Sequence, residues 1–150
     1  MTSAEATTRI RDRFGVEAVE TPGALSVSLA GEQWQPFAAF ARADLGCLYF
    51  NWLTAVDWKE QGLEVLCRVE NLSAHLALLM RTTLPAGTSH CPTLTTVYRG
   101  ADWMERECYD LLGVVFHGHP DLRRILLPQD WEGHPLRKDY AVDTPHTPYR

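Results

Sequence analysis

Three histidines, His117, His119 and His134, stand near Asp121 and Glu132 in the C-terminal part of the chain. Imidazole and carboxylate are the ligand types that zinc takes, and His117-Gly118-His119 spacing puts both rings on one face of a strand. Pro120 follows at once, however, and no third ligand has a customary spacing. Hydrogen-bonded turn histidines are the better reading. Glu105, Glu107 and Asp110 are of the right type for general acid–base work. Yet Asp102 and Glu105 fit a helix-capping box, and Arg106 lies beside them, so a structural salt-bridge network is preferred. The four cysteines, Cys47, Cys67, Cys91 and Cys108, lack the close pairing of iron–sulfur and structural zinc sites. They read as buried thiols in a reducing compartment. We find no phosphate loop, nucleophile elbow or dinucleotide fingerprint, and Gly113-x-x-x-x-Gly118 lacks the Lys-Ser/Thr of a P-loop. No complete active site is expected. A hydrolase built on His119, Asp121 and a carboxylate of the 105–110 helix is the residual enzymatic alternative.

These residues cluster in or beside a segment, 117–150, that has no sustained period of 2 or 3.6. It holds Pro120, Pro128, Pro135, Pro145 and Pro148, together with Trp131, Tyr140, Tyr149 and many charges. Ile125, Leu126, Leu127 and Leu136 still call for burial, so an extended C-terminal arm ordered against something else is expected, with a partner protein preferred over its own domain. Gly118-His119-Pro120-Asp121-Leu122-Arg123-Arg124 is echoed by Gly133-His134-Pro135-Leu136-Arg137-Lys138. Each copy has a permissive glycine, a histidine held extended by proline, a leucine anchor and a basic pair. The pairs would present cations to carboxylates on a neighbouring surface. Trp131 is a further interface candidate. We expect the isolated chain to be partly unfolded beyond Phe116, which limited proteolysis would test.

The elements that must carry this arm lie in residues 1–116. A helix capped at Ser3 stops at Gly15, and Pro22-Gly23 marks a turn. Leu25, Val27 and Leu29 alternate as a strand. A second helix opens at Gly31, with Pro36 near its first turn and Trp34, Phe37, Ala38 and Ala41 on one face. Cys47–Trp58 and Leu63–Val69 form a hairpin about Gln61-Gly62. Ala74–Leu84 fits a helix through Leu72, Leu76, Leu79 and Met80 or a strand face through Ala74, Leu76, Leu78 and Met80; a strand is preferred because Thr82 and Thr83 extend the pattern and Pro85 ends it. The clearest helix is Trp103–Leu112, capped by Asp102. Its buried stripe is Met104, Cys108, Leu111 and Leu112, and an Arg106–Asp110 pair sits on the other side. Val114–Phe116 is a short strand. The fold class is α+β, a two-layer domain with a mostly antiparallel or mixed sheet packed by helices, plus the arm. A chain of 150 residues, 22% charged with net charge −5, can bury one core and is a poor match for generic nucleic-acid binding. No run approaches the roughly 20 apolar residues of a membrane span, and no apolar signal core stands at the N-terminus.

Residues 105–128, Glu-Arg-Glu-Cys-Tyr-Asp-Leu-Leu-Gly-Val-Val-Phe-His-Gly-His-Pro-Asp-Leu-Arg-Arg-Ile-Leu-Leu-Pro, closely resemble the signature of the C-type subunit family of NADH-quinone oxidoreductase, respiratory complex I. Gln129 to Tyr140, which include Trp131, His134, Arg137, Lys138 and Asp139, continue the likeness, and Leu53-Thr54-Ala55-Val56-Asp57 is weakly similar. The resemblance implies an α+β domain whose arm wraps a neighbour, the D-type subunit of the same complex. It implies a place among the hydrophilic-arm subunits, on the cytoplasmic side of the bacterial inner membrane and peripheral to it. The complex passes electrons from NADH through FMN and iron–sulfur clusters to quinone and translocates protons. The flavin and clusters belong to partner subunits, and none is expected here. Glu105, Arg106, Glu107, Asp110, His119, Asp121, Arg123, Arg124, Trp131, His134, Arg137, Lys138 and Asp139 are the implied interface and signature residues. Similar subunits occur in membrane-bound hydrogenases, coenzyme-F420 dehydrogenases and the ferredoxin-linked photosynthetic complex.

Overall fold

The computed structural model describes residues 1–143; residues 144–150, with Pro145, Pro148 and Tyr149, lie outside the described part. Helix α1 spans Ser3–Phe14. Its capping box is formed by Thr2, one residue before the expected Ser3. The Thr2 hydroxyl accepts the Glu5 N–H at 3.2 Å, and the Glu5 carboxylate accepts the Thr2 N–H at 2.7 Å. Strands β1 (Ala18–Thr21) and β2 (Ala24–Leu29) form a hairpin around Pro22-Gly23. Helix α2 covers Gly31–Ala43 and buries Trp34, Phe37, Ala38 and Ala41, the expected face. Pro36 falls inside this helix, beyond the first turn, where the missing N–H removes one intrahelical bond.

Strands β3 (Tyr49–Asp57) and β4 (Leu63–Asn71) form the expected antiparallel hairpin, and β5 (Leu76–Leu84) pairs antiparallel with β4. β5 also runs parallel to β2, so the mixed sheet has the order β1-β2-β5-β4-β3. Alternation sorts its faces. Leu25, Val27, Leu53, Val65, Cys67, Val69, Leu78 and Met80 join Ile10, Trp34, Phe37, Ala101 and Cys108 in one core. Full burial of the Val, Leu, Ile, Phe and Met side chains among them contributes about 1.5–3 kcal/mol each. The alternate residues carry the ion pairs Arg68–Glu70 and Arg81–Glu64, both with 2.7 Å separations. β6 (His90–Pro92) and β7 (Val115–His117) form a separate parallel pair. The architecture is the α+β sheet-and-helix arrangement that the pattern predicts.

Helix α3 (Ala101–Leu112) packs along the edge strand β3. The Leu53 N–H there finds the Met104 thioether at 3.1 Å, so a helix side chain occupies part of an edge that would otherwise invite another strand. At the other end of β3 the turn into β4 is pinned against the end of β5. Gly62 has φ +91°, and a Cβ built on it would collide with the Leu84 carbonyl. Gly87 has a similar φ of +82° but open space around it. Gly62→Ala is therefore expected to lower unfolding free energy by at least about 2–3 kcal/mol, and Gly87→Ala by about 1 kcal/mol. Urea denaturation of the two variants giving equal losses would contradict the close-approach explanation.

Candidate functional site

Helix α3 starts after Gly100 without a side-chain cap, so Asp102 and Glu105 do not form the expected capping box. Each has a better partner elsewhere. Glu105 turns into the core, fully buried, where it accepts the Thr93 hydroxyl at 2.6 Å and the Leu94 N–H at 2.7 Å. Burial outweighs these two bonds and pushes its carboxyl up to about 7. Asp102 faces His119. The His119 Nδ1 accepts the Asp121 N–H at 3.0 Å, so its proton resides on Nε2, which lies 3.1 Å from the Asp102 carboxylate and 3.2 Å from its carbonyl. Arg106 and Asp110 are likewise not partners on a solvent face; both are buried. Arg106 donates to the carbonyls of Arg123 and Arg124, each at 3.1 Å.

Asp110 gathers the arm. One carboxylate oxygen accepts the consecutive N–H groups of Ile125, Leu126 and Leu127 at 3.1, 2.8 and 2.9 Å. The other pairs with Arg124 at 2.8 Å. Burial alone would raise this carboxyl; the Arg124 guanidinium and the three N–H groups hold it below the usual range. Arg124 also donates to the carbonyls of Asp110, Trp131 and Gly133 at 3.0, 2.8 and 2.9 Å. The end of the helix is then closed group by group. The Tyr109 carbonyl accepts Gly113 N–H and that of Leu111 accepts Leu136 N–H, each at 2.9 Å. The Asp110 carbonyl also accepts His134 Nδ1–H at 3.0 Å, and that of Leu112 accepts Arg137 Nε–H at 2.6 Å. Gly113 permits this closure: its φ is +75°, and a Cβ there would meet the His134 ring at 2.7 Å. Beyond it, Lys138 N–H reaches the Asp57 carboxylate at 2.8 Å, with Lys138 Nζ 5.8 Å from the Trp58 ring centre.

The described arm therefore lies against its own domain, and the two basic pairs divide. Arg124 and Arg137 turn inward to the end of α3, a correction to the expectation that all four cations are presented outward. Arg123 pairs with Asp121 at 2.9 Å on the surface. Leu122 packs on the core, whereas Leu136 is exposed. Glu107 is exposed, Trp131 half-buried, and Asp139 lines an open cavity with Lys138 between the β3–β4 turn and the arm. The histidines separate: His117 stacks on His90 at 4.7 Å, while His119 and His134 bind different ends of α3. Among the described residues no three potential ligands converge. Burial pushes Cys47 and Cys108 up to about 12 and raises Cys67 and Cys91 as well. His119 has both ring nitrogens engaged, and the carboxylate beside it is Asp102, not one from residues 105–110 as a hydrolase would require. Thr93, Leu94 and Trp58 were missed because no motif marks them; Asp57 had only the weak likeness of residues 53–57.

The geometry defines a two-layer α+β domain with its C-terminal segment strapped across one helix end. Residues 27–146 match the family described as respiratory-chain NADH dehydrogenase, 30 Kd subunit, and the chain belongs to that family. It is 41% identical over 145 residues to the C-type subunit of NADH-quinone oxidoreductase from Chlorobium phaeobacteroides, spanning 89% of this chain and 85% of that one. To the corresponding subunit of Geobacter metallireducens it is 34% identical over 149 residues, spanning 95% and 92%. Two solved structures share the fold. The trypsin-resistant fragment (1–134) of Nqo5 superposes with a TM-score of 0.67 at 24% identity, over 79% of this chain and 98% of that one. A chain of the archaeal membrane-bound sulfane sulfur reductase superposes at 0.82 with 23% identity, over 93% and 85%. Among the described residues no helix is long and apolar enough to cross a membrane.

Two variants test the site. Asp110→Asn leaves Arg124 without a counter-charge and is expected to cost roughly 3–5 kcal/mol of stability. Trypsin should then cut after Arg124 faster than in the parent chain; unchanged cleavage would remove Asp110 from its role. The Glu105 proton is bound more tightly folded than unfolded. The stability it contributes is full below about pH 4.5 and is lost as pH rises through about 7. Glu105→Gln should abolish that loss, which amounts to about 3 kcal/mol. Parallel stability–pH curves for the two proteins between pH 5 and 8 would show that burial does not raise this carboxyl.

Proposed function

We propose that this chain is a cofactor-free structural and assembly subunit of a proton-translocating NADH-quinone oxidoreductase, held peripherally on the cytoplasmic side of a bacterial inner membrane. In this reading FMN and the iron–sulfur clusters belong to partner subunits, and electrons run from NADH to quinone without passing through this chain. The arm docks on the D-type subunit. The observation that carries the reading is the family match across residues 27–146, which takes in both α3 and the described arm. The four cysteines stand far apart in the sequence, without the close pairing of cluster ligands, which supports placing the clusters in partner subunits. The arm's folded-back course supports a docking role, because residues such as Leu126 and Leu136 stay exposed on a segment whose backbone is already fixed.

A second reading keeps the architecture and changes the electron donor or acceptor, as in hydrogenase-, coenzyme-F420- or ferredoxin-linked relatives. The fold shared with a chain of a sulfane sulfur reductase favours it. Gentle detergent extraction of the N-terminally tagged chain from its own membranes separates the two. Recovery with flavin, iron–sulfur and membrane subunits, and NADH-to-quinone activity in the eluate, is expected. Recovery with nickel–iron hydrogenase subunits would favour the second reading, and recovery of the chain alone would defeat both. Within such an assembly, Arg124→Ala should reduce yield strongly, since it breaks a buried pair worth roughly 3–5 kcal/mol. Arg123→Ala should cost about 0–1 kcal/mol, because its pair is solvent-exposed. Equal yields of the two variants would contradict this division of roles.

A further inference from the structure

We propose that Glu105, Thr93 and Thr95 form a proton-exchange site, in which a buried carboxyl takes up and releases one proton through a relay of hydroxyl groups leading to the surface. The site lies within this chain and needs no partner. Glu105 is fully buried on α3. No cation among the described residues stands within ion-pairing distance of it. The ionisable groups near enough to feel its charge are Asp102 on the same helix, Cys67 on β4, Cys91 on β6 and Cys108 on α3. None of them carries a positive charge that would fix Glu105 in its ionised form, and burial brings the exchange near neutrality.

The hydrogen bonds around the carboxyl let the proton come and go. Its Oε1 accepts the Leu94 N–H at 2.7 Å, which it can do as a carboxylate oxygen or as the carbonyl of the acid. Its Oε2 stands 2.6 Å from Thr93 Oγ1. That hydroxyl stands 2.9 Å from Thr95 Oγ1 and accepts the Thr95 N–H at 3.1 Å. A hydroxyl donates one proton and accepts on two lone pairs. With Glu105 ionised, Thr93 donates to Oε2 and accepts from the hydroxyl and N–H of Thr95. With Glu105 protonated, Oε2–H donates to Thr93, and Thr93 donates to Thr95 Oγ1. Every polar group keeps its partner in both states, and only the hydroxyl directions reverse. In uptake, water protonates Thr95 Oγ1 as the Thr95 proton passes to Thr93 and the Thr93 proton passes to Oε2. Each hydroxyl oxygen gains one proton as it loses another, so the net change is one proton added to Glu105. Thr95 is half-buried beside exposed Thr96, where the relay meets solvent. Asp110 on the same helix is built in the opposite way. Its carboxylate faces Arg124 and the N–H groups of Ile125, Leu126 and Leu127, donors that cannot reverse, so a proton there would displace a bond.

Carbon-13 NMR of the full chain, labelled at the glutamate carboxyl carbons, tests the relay from about pH 5 to 9. The Glu105 signal is the one missing from Glu105→Gln. In the parent chain it should titrate, and its line shape gives the rate of proton exchange. Thr95→Val keeps the shape of the side chain and removes the outer hydroxyl of the relay. It should slow exchange by about tenfold or more while the carboxyl still titrates. Thr95→Ser, which keeps a hydroxyl, should exchange within a factor of about two of the parent. Equal rates in the parent and Thr95→Val would mean that the proton enters by another route, and the relay would be overturned. A Glu105 signal that does not move over this pH range would overturn it as well, as would a Thr95→Ser rate as slow as that of Thr95→Val. If Thr95→Val melts well below the parent, Thr95→Ala against Thr95→Ser makes the same comparison between two shortened side chains, one without and one with the hydroxyl.

Discussion

The last turn of an α-helix has carbonyl groups with no intrahelical donor, and in α3 those of Tyr109 to Leu112 are met by residues that follow the helix in sequence. The helix carries no cation in its own last turn. Arg124 and Arg137 bring positive charge to the negative end of the dipole from 14 and 25 residues away. Asp110 makes this closure cooperative, because it offers a backbone carbonyl to Arg124 and His134 and a carboxylate to Arg124 and three N–H groups. Residues 123–137, which have no regular secondary structure of their own, are thereby given a hydrogen-bonded course. Removing the Asp110 carboxylate would leave a buried guanidinium without its counter-charge and three N–H groups without an acceptor together, a larger loss than that of any one bond.

Much of the domain was legible because burial imposes periods. Trp34, Phe37, Ala38 and Ala41 mark the inner face of α2 by spacing alone, and Leu76, Leu78 and Met80 mark the inner face of β5. The polar residues of α3 were misread for a common reason. Asp102 and Glu105 have capping-box spacing, but Thr93 and Leu94, from a loop many residues upstream, offer Glu105 donors in a dry site where they are worth more. Arg106 and Asp110 have the spacing of a surface pair, but each finds acceptors or donors in the arm. Local spacing records which pairs can meet along one helix. It cannot record that a later segment crosses that helix and competes.

The repeated Gly-His-Pro turns were visible, and the positive φ of both Gly118 and Gly133 agrees with their reading as stiff turns. What they bind was not visible, because the two copies do different work. His119 fixes the N-terminal end of α3 through Asp102, and His134 fixes its C-terminal end through the Asp110 carbonyl. Similar sequences therefore grip opposite ends of one helix. The span between them crosses the helix through Arg106, whose guanidinium takes the carbonyls of Arg123 and Arg124. This explains why the signature is long: helix, turns and cations make one connected set of donors and acceptors.

Using cations internally changes what the arm can offer outside. An arm ordered only by its partner would load the binding equilibrium with the entropy of fixing each residue, about 1–2 kcal/mol for backbone alone. Here the bonds to α3 meet that cost before any partner arrives, and the partner needs only to cover a surface already shaped. Outward charge is then reduced to a few pairs such as Asp121–Arg123, which confer orientation more than affinity. The apolar groups the described arm leaves exposed, Leu126, Leu136 and Val142, are the ones whose burial can hold a neighbour. An Arg124 variant and a Leu126 variant would then impair assembly by different routes. The first releases the arm and lowers the stability of the chain itself. The second leaves the chain folded and weakens only what it holds.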